Sequence, residues 1–592
     1  MCGIVGAIGI KNTREFLIKG LKDLDYRGYD SAGVAFNKKT GIEVFKSVGT
    51  VDKLDSQISC DDSLICLGIG HTRWATHGEP STINSHPHVS MHGEFAIVHN
   101  GVIENYRSVK ENLVKLGYEF KSETDTEVIV NLLEYHYLEN KDVLESIYVT
   151  MQELKGSFAL AIIKKDDTDH IYFAKNRSPL LIGEGNDFKL LASDAMPMIK
   201  YTDKFIDLAD YQYGFISSDK VTVLRNKKSV EVKYTKRNAE LLNRDLGDYP
   251  HYMLKEIEEG PQCIKRIINN YFDGSKYLFD HRLIEEIKEA KDIIFLACGT
   301  SYHASLIGKR YFENINKHAE VFIASEWAYN PIVLSDKPFF IIVSQSGETA
   351  DLIRCLDIIN NRNSHSLTIT NTKGSTLERE ATYSLLLYAG VEVAVASTKA
   401  YISQVALLSL LVAATKNDYS CVSNLKAVID AEQILINNHH ECKKVADELS
   451  KHQNVFFLGR GLDFAVAQEG SLKLKEITYI HSEALPGGEL KHGPIALINN
   501  GTPVIVFITN PLIDLPIRSN ICEVESRGAK VFTIVSKALR KDNDSIIIPD
   551  VDLALTPLVS VVVAQYISYY TALKLNLNID KPRNLAKSVT VE

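Results

Sequence analysis

Several features that define other classes of protein are missing from this chain of 592 residues. Its nine cysteines are odd in number, scattered and never spaced as Cys-x-x-Cys, which argues against a disulfide scaffold and a structural zinc site. No block of lysine and arginine stands out and the formal net charge is −9, so we expect no nucleic-acid partner. No apolar run has the length of a membrane span, and no basic region followed by an apolar core opens the chain. We therefore expect a cytoplasmic protein with neither a membrane segment nor a signal peptide.

The composition that is present, 45% hydrophobic and 24% charged residues, is typical of a globular protein with several cores. The length suggests roughly three to four domains. The expected divisions, in chain order, are a first domain at 1–240, a linker with leading helices at 241–289, an α/β domain at 290–415, a helical connector at 416–452, a second α/β domain at 453–576 and a tail at 577–592.

Short apolar strands separated by Gly, Asn and Asp turns dominate the first domain, and they are predicted at 4–8, 157–163, 170–174 and 188–192. Two amphipathic helices are predicted from their buried faces, one carrying Phe16, Leu17, Leu21 and Leu24, the other carrying Val109, Leu113 and Leu116 and ended by Gly117. This pattern indicates an α+β domain in which sheets pack together with helices outside.

Strands and helices alternate from about residue 290 onward, as they do in parallel α/β sheets. The alternation occurs twice in the same order. The motif FLACG at 295–299 corresponds to FLGRG at 457–461, and the strand after Pro338 corresponds to the strand after Pro503. Two tandem copies of one α/β unit explain these matches.

The chain opens with a candidate nucleophile in the sequence MCGIVG. If Met1 is removed, Cys2 carries a thiol and a free α-amine on the same carbon, and the amine can act as general base for the thiol. The alternative is an ordinary buried N-terminal strand, because cysteine is among the most buried residue types.

Four further segments of the first domain carry residues suited to an amide substrate: RGYDSAG at 27–33, HTRWATHG at 71–78, HNG at 99–101 and SETDTE at 122–127. An Asn side chain and a Gly N–H can form an oxyanion hole, Arg73 can hold a carboxylate, and Asp125 can hold an ammonium group. Taken singly, these segments have simpler readings. Asn-Gly is usually a plain turn, SETDTE a helix N-terminus, and the two histidines loop residues.

Together with CGIVG, and in that order, these motifs closely resemble the class II glutamine amidotransferases, a branch of the N-terminal nucleophile hydrolases. The resemblance implies an αββα sandwich that hydrolyses glutamine to glutamate and ammonia. It also implies Cys2 as the nucleophile, and Asn100 and Gly101 as the oxyanion hole. The implied glutamine pocket consists of Arg73, Thr76, His77 and Asp125, and Trp74 is implied as the gate for ammonia passage.

Two loops of the first α/β copy are rich in hydroxyl groups, CGTS at 298–301 and SQSGET at 344–349. Each follows an apolar strand and precedes a helix, where hydroxyls and backbone N–H groups can cradle a phosphate. The simpler reading is that Ser and Thr are preferred helix caps. The nucleoside-triphosphate signature GxxxxGK[ST] is absent. In the second copy TNP at 509–511 stands in place of SQSGET, so that copy is predicted to have given up phosphate binding.

The second copy and the tail supply charged candidates instead. Glu469, Lys473 and Glu476 are three and four residues apart and share one helix face, which could equally be an exposed salt-bridged surface. His492 lies in the loop GELKHGP, and Lys587 lies in the tail PRNLAKSVTVE, a position more typical of a disordered end.

This half resembles the paired sugar-isomerase (SIS) domains of the amidotransferases that act on fructose 6-phosphate, by CGTS, SQSGET, ASTKA, LKLKE, GELKHGP and PRNLAKSVTVE in order. The resemblance implies a sugar-phosphate site formed by Ser301, Ser344, Gln345, Ser346 and Thr349 and lined by Val395 and Ser397. Glu469 and Lys473 would contact the substrate beside Glu476, the base that moves a proton between carbons 1 and 2. Lys587 would form a Schiff base with the keto sugar, and His492 would open the sugar ring, reaching across a homodimer.

The expected activity is amination of D-fructose 6-phosphate by glutamine, with ammonia passing inside the protein and with no metal or organic cofactor. Two alternatives stay open. One is an amidotransferase of the same type with another acceptor, although no acidic pair followed by a hydroxyl-rich loop indicates a phosphoribosyl substrate. The other is a sugar-phosphate-sensing regulator that binds without turnover. Glu476, His492 and Lys587 together argue against the sensor.

Overall fold

The computed structural model describes residues 2–25, 28, 30–59, 65–74, 78–237, 245–332 and 335–589. The chain divides into two compact units. The first comprises Met1–Asn243 together with Ala586–Glu592, and the second comprises Arg244–Leu585.

The first unit contains two antiparallel sheets flanked by helices. The first sheet has the strand order β15-β11-β9-β10-β1-β4-β2-β3 and the second has the order β14-β13-β12-β8-β7-β6-β5. The strands are β1 (Gly3–Ile8), β2 (Ser31–Lys38), β3 (Gly41–Val48), β4 (Leu67–Arg73), β5 (His88–Val89), β6 (Phe95–Ile103), β7 (Gly156–Lys164), β8 (Ile171–Asn176), β9 (Leu181–Glu184), β10 (Lys189–Ala192), β11 (Lys204–Asp207), β12 (Gln212–Ile216), β13 (Val221–Arg225), β14 (Lys228–Ser229) and β15 (Thr235–Lys236). The helices are α1 (Thr13–Asp23), α2 (Val51–Gln57), α3 (Tyr106–Lys115), α4 (Asp125–Asn140) and α5 (Val143–Glu153).

Three buried apolar clusters define four layers in this unit. One cluster lies between the sheets and joins Ile4 and Ile69 of the first to Val98 and Ala161 of the second. A second cluster packs α1 and α2 against the first sheet, and a third packs α3, α4 and α5 against the second sheet. The αββα sandwich predicted from the sequence is therefore confirmed.

Two local predictions in this unit are wrong. Asn100 and Gly101 do not form a turn but lie within strand β6, paired with Ala159 and Phe158 of β7. The helix ended by Gly117 does bury Val109 and Leu113, but Leu116 is 55% exposed. Leu116 is the C-cap of α3, where the chain leaves the helical spiral, so the helical period no longer places its side chain on the buried face.

The second unit contains two five-stranded parallel sheets with the same strand connectivity, in the orders β17-β16-β18-β19-β20 and β22-β21-β23-β24-β25. The strands are β16 (Asp292–Ala297), β17 (His318–Ile323), β18 (Pro338–Ser344), β19 (Ser366–Thr370), β20 (Tyr383–Leu386), β21 (Asn454–Gly459), β22 (His481–Pro486), β23 (Pro503–Ile508), β24 (Lys530–Ser536) and β25 (Ile546–Ile548). The helices are α6 (Tyr252–Glu258), α7 (Gly260–Tyr271), α8 (His281–Glu289), α9 (Gly299–Glu313), α10 (Ala324–Tyr329), α11 (Ala350–Asn361), α12 (Thr376–Glu380), α13 (Lys399–Lys416), α14 (Ser420–Asn437), α15 (His440–Leu449), α16 (Leu462–Thr478), α17 (Pro511–Glu525) and α18 (Thr556–Lys574).

Glycines at equivalent positions of the two copies show that the copies pack their helices and strands in the same way. A Cβ added to Gly308 in α9 would lie 2.8 Å from Leu408 of α13 and 3.2 Å from the ring of Phe295. A Cβ added to Gly470 in α16 would lie 3.0 Å from Ala564 of α18 and 3.1 Å from the ring of Phe457. Both glycines let the first helix of a copy approach its first strand and its last helix closely. The predicted tandem α/β copies are confirmed, and one apolar core joins them.

One helical segment of the second unit, Leu553–Lys574, is long and apolar enough to cross a membrane by length and composition, which the sequence reading did not anticipate. Its most apolar window is 83% buried inside the protein. The packing of α18 against α16, α15 and α14 accounts for its hydropathy.

Candidate active site

The Cys2 thiol lies at the end of the first sheet, where β1 and β4 terminate side by side. Gly3 pairs with Thr72, so Cys2 stands opposite the end of β4. Its Sγ accepts a hydrogen bond from the backbone N–H of Trp74 at 3.2 Å and lies 3.5 Å from the carbonyl oxygen of the same residue. Burial raises the pKa of the Cys2 thiol, against the lowering effects of the Trp74 N–H and the Arg73 guanidinium.

Asn100 and Gly101 reach the same place from the second sheet. The Nδ2 of Asn100 donates to the carbonyl oxygen of Cys2 at 3.0 Å. Gly101 has φ of +138°, and a Cβ at this position would lie 2.0 Å from the carbonyl oxygen of Ser157. Only glycine fits this backbone, because any side chain would collide with the neighbouring strand β7.

A small cavity beside Gly101 carries opposite charges on its wall. It is lined by Arg73, His86, His99, Gly101, Thr124 and Asp125, among others. Arg73 donates to the carbonyl oxygens of Gly78 at 3.0 Å and Glu79 at 3.4 Å, and Asp125 accepts from the N–H of Ile103 at 2.9 Å. Both side chains are held in fixed directions, as a clamp for an amino-acid carboxylate and ammonium requires. Thr76 and His77, the other predicted pocket residues, lie outside the described residues.

Two hydroxyl-rich segments meet at one edge of the first parallel sheet in the second unit. Thr300 and Ser301, predicted to lie in a loop before a helix, instead lie in the first turn of α9. Strands β16 and β18 are neighbours in register, so the loops that follow Ala297 and Ser344 are adjacent. Ser344 Oγ lies 3.2 Å from Thr349 Oγ1 and accepts from the N–H of Gly347 at 3.1 Å. Ser301 Oγ accepts from the Nε2 of the buried Gln404 at 2.9 Å. The other residues of the second loop are Gln345, whose carbonyl oxygen accepts from the Asn371 N–H, and Ser346, whose Oγ accepts from the Glu348 N–H.

The segment that carries Val395 and Ser397 is braced by a buried carboxylate. Glu392 is 4% exposed and accepts from Ser397 Oγ at 2.6 Å, from the N–H of Thr398 at 2.9 Å and from the N–H of Ala400 at 3.0 Å. Val395 donates its N–H to the carbonyl oxygen of Asp580 at 3.0 Å.

The charged face of α16 is buried, contrary to the exposed alternative. Glu469 and Lys473 are both 0% exposed, and Lys473 donates to Glu476 at 2.6 Å and to Thr300 Oγ1 at 2.9 Å. Burial opposes the charge of Lys473, but the carboxylates of Glu469 and Glu476 outweigh it and raise its pKa. The second copy therefore presents the ammonium group of Lys473 and the carboxylate of Glu469 to the first copy.

Sequence reasoning missed the partners of this cluster. His303, on the first turn of α9, donates from Nδ1 to Glu469 at 2.7 Å. The sequence could have indicated His303, because it follows Thr300 by three residues and the two therefore share one helix face. His492 is exposed in the 3₁₀ turn Glu489–His492 of the second unit. Lys587 belongs to the C-terminal segment that groups with the first unit.

The comparisons with known proteins agree with both halves. Residues 71–200 match the family described as glutamine amidotransferase domain, and residues 286–414 and 448–575 match the SIS domain. These features define a glutamine amidotransferase joined to a pair of SIS domains.

Full-length relatives narrow this class. The chain is 48% identical to glutamine–fructose-6-phosphate aminotransferase (isomerizing) of Geobacillus kaustophilus and 47% identical to that of Bacillus subtilis, over 100% of both chains in each case. Among solved structures, the C-terminal domain of glucosamine-fructose-6-phosphate aminotransferase from Francisella tularensis is similar with a TM-score of 0.55 and 34% identity, covering 57% of this chain and 100% of that one. The chain belongs to the glutamine–fructose-6-phosphate aminotransferase (isomerizing) family.

Proposed function

We propose that this protein converts D-fructose 6-phosphate and L-glutamine into D-glucosamine 6-phosphate and L-glutamate, the first step of hexosamine synthesis. The observation that carries the proposal is the match to aminotransferases of this name over the full length of the chain. The positions of the thiol, the oxyanion donors and the buried charges support a division of the reaction between the two units.

In the glutaminase half, Cys2 attacks the side-chain amide carbon of glutamine. Its own α-amine, free once Met1 is removed, takes the thiol proton. Negative charge develops on the amide oxygen, and Asn100 Nδ2 and the Gly101 N–H stabilise it. The protonated α-amine then gives its proton to the amide nitrogen, the C–N bond breaks and ammonia leaves, and water hydrolyses the thioester to glutamate and restores the Cys2 thiol. Arg73 and Asp125 hold the carboxylate and ammonium of the substrate, with Thr76 and His77 completing the pocket.

In the sugar half, the hydroxyls and N–H groups of the 298–301 and 344–349 loops hold the phosphate of fructose 6-phosphate. The Lys587 amine condenses with the C2 ketone and releases water, and ammonia then displaces the lysine from the imine. Glu476 removes a proton from carbon 1 and returns it to carbon 2, which yields the 2-amino aldose. Lys473, hydrogen-bonded to Glu476, keeps that carboxylate in a fixed orientation.

The proposal includes ammonia passage past Trp74, a homodimer and a cytoplasmic location. Trp74 is suited to a gate because its backbone contacts the thiol that releases ammonia. An exposed His492 is suited to reach the sugar site of a second copy and open the ring there. The eight described cysteines are all free thiols, as in a reducing compartment.

Two variants test the division of labour. Cys2→Ala is expected to abolish glutamine-dependent amination while leaving conversion of fructose 6-phosphate to glucose 6-phosphate, because only the thiol is removed. Lys587→Ala is expected to stop both sugar reactions while glutamine hydrolysis continues. Product analysis by mass spectrometry distinguishes these outcomes. Amination that survives Lys587→Ala would contradict the Schiff base, and wild-type enzyme that forms no amino sugar would favour a non-catalytic sensor.

A further inference from the structure

A buried imidazole lies directly behind the oxyanion side chain. His71, in β4, is 0% exposed. Its Nε2 is 2.9 Å from the carbonyl oxygen of His99 and 3.0 Å from Oδ1 of Asn100. A backbone carbonyl can only accept a hydrogen bond, so Nε2 carries the proton and donates to both oxygens.

This donor fixes which way the Asn100 amide faces. The two ends of an asparagine side chain have nearly the same shape, so neighbouring hydrogen bonds decide its orientation. With Oδ1 facing the His71 N–H, the NH₂ group faces the carbonyl oxygen of Cys2 at 3.0 Å. A flipped amide would set NH₂ against an N–H donor and oxygen against a carbonyl. The imidazole thus selects the one orientation that offers a donor at the Cys2 end.

The surroundings keep this imidazole neutral and in one tautomer. The ring of His86 stacks on it with centroids 4.1 Å apart, and His88, His99 and Arg73 are further titratable neighbours. Burial lowers the pKa of His71 to about 3, against the raising effect of its two hydrogen bonds. Its Nδ1 has no hydrogen-bond partner among the described residues. A proton on Nδ1 would be buried without an acceptor, so the Nε2–H form is favoured.

We infer that His71 is a positioning residue for glutamine hydrolysis: its Nε2–H holds the Asn100 amide so that Nδ2 points at the developing oxyanion. This inference rests on the proposed function, in which Asn100 stabilises the tetrahedral intermediate at Cys2. His71 acts through Asn100 and does not contact substrate.

The test compares His71→Leu, which removes the donor, with His71→Gln, whose amide N–H can occupy the Nε2 position. His71→Leu is expected to lower kcat for glutamine hydrolysis by about 10²-fold, the order of magnitude for losing one oxyanion donor, with KM changed far less. His71→Gln is expected to recover most of that loss. His136→Leu is the matched control, because it removes a buried imidazole from helix α4 of the same unit. A thermal unfolding midpoint like that of the wild type reports that each variant is folded.

A double-mutant cycle separates positioning from general damage. Adding His71→Leu to Asn100→Ala is expected to cost little beyond Asn100→Ala alone, because the positioned group is already gone. Effects that multiply in full, or a His71→Leu variant with wild-type kcat, would overturn the inference. An Asn100→Ala variant that hydrolyses glutamine normally would instead overturn the proposed function.

A measurement on the unaltered enzyme covers the case in which His71→Leu does not fold. Nitrogen-15 NMR of labelled histidine is expected to show His71 as a neutral Nε2–H tautomer from about pH 5 to about pH 9, well above its folded pKa. The Nδ1–H tautomer, or titration within that range, would contradict the inference.

Discussion

The two SIS copies share a backbone and differ at the ends of their strands. Ser301 stands six residues after Phe295, and Asp463 stands six residues after the equivalent Phe457. Thr509 corresponds to Ser344, because each stands six residues after the equivalent proline, Pro503 or Pro338. In the second copy the Asp463 carboxylate is 2% exposed and accepts from the N–H of Thr509 at 2.8 Å and from its Oγ1 at 2.5 Å. A carboxylate of the chain therefore occupies donors that correspond to those proposed to hold a phosphate in the first copy.

The comparison shows how a duplicated fold divides one reaction. The first copy carries hydroxyl groups at its strand ends, where we propose that the sugar phosphate binds. The second copy closes its own strand ends and directs α16 toward its neighbour, so that Lys473 and Glu469 meet Thr300 and His303 of α9. In the proposed function, binding groups come from one copy and the proton-transfer group Glu476 from the other, so the reaction would require both.

The largest effect is expected from a substitution that removes the proposed base of the second copy. Glu476→Gln keeps the hydrogen-bonding shape but removes the base, so isomerisation of fructose 6-phosphate should fall by about 10²- to 10⁴-fold. Binding of the sugar phosphate, measured by calorimetry, should change little because the first copy is untouched. Retention of wild-type isomerisation would show that the proton is moved by another group.

Exchanging Ser301 and Asp463 between the two copies is expected to have an effect of intermediate size. Ser301→Asp brings the second copy's carboxylate into the first copy, where it should repel phosphate and raise KM for fructose 6-phosphate by about 100-fold, equivalent to about 2.7 kcal/mol. A thermal unfolding midpoint like that of the wild type serves as the control for folding.

The opposite half of the exchange, Asp463→Ser, should free the Thr509 donors. Thermal unfolding of this variant is expected to shift upward with added phosphate more than that of the wild type, because a ligand that binds only the folded state stabilises it. Equal shifts in the two proteins would contradict the view that Asp463 fills an anion site.

The smallest expected effect is on stability and comes from the charge of Asp463. Burial raises its pKa to about 6, above the value of about 3.9 in an unfolded chain. The folded state is therefore penalised as pH rises from about 4 through about 6, by about 2 to 3 kcal/mol in all. Asp463→Asn cannot ionise, so the free energy of unfolding of the variant should gain on the wild type over this range. A difference that stays constant with pH, measured by urea unfolding, would contradict this account of the buried carboxylate.

The local sequence pattern was sufficient to predict much of the fold, but it did not predict several of the contacts. The apolar periods predicted β1 and α1, and the matched FLACG and FLGRG motifs predicted the tandem copies. The Asn-Gly pair read as a turn because that dipeptide favours one, whereas pairing with β7 holds it in a strand. That pairing joins residues about sixty positions apart, and no local propensity encodes it.

In the candidate site, too, some residues could be predicted from the sequence and others could not. Cys2, Arg73 and Asp125 could be named from motifs because their chemistry suits the substrate. His71 and His303 could not, because each acts through a contact made only when distant strands or helices pack. Burial also reversed the simpler reading of Glu469 and Lys473, since the identical helical spacing describes an exposed face or a buried one.

The most direct measurement follows the nitrogen atom through both units. The full-length protein is incubated with fructose 6-phosphate, glutamine labelled with nitrogen-15 in its side-chain amide, and excess unlabelled ammonium, and the products are weighed by mass spectrometry. We expect glucosamine 6-phosphate that carries the label, formed in step with glutamate. Amino sugar without label, or none at all, would contradict an enzyme that delivers ammonia from Cys2 to the sugar.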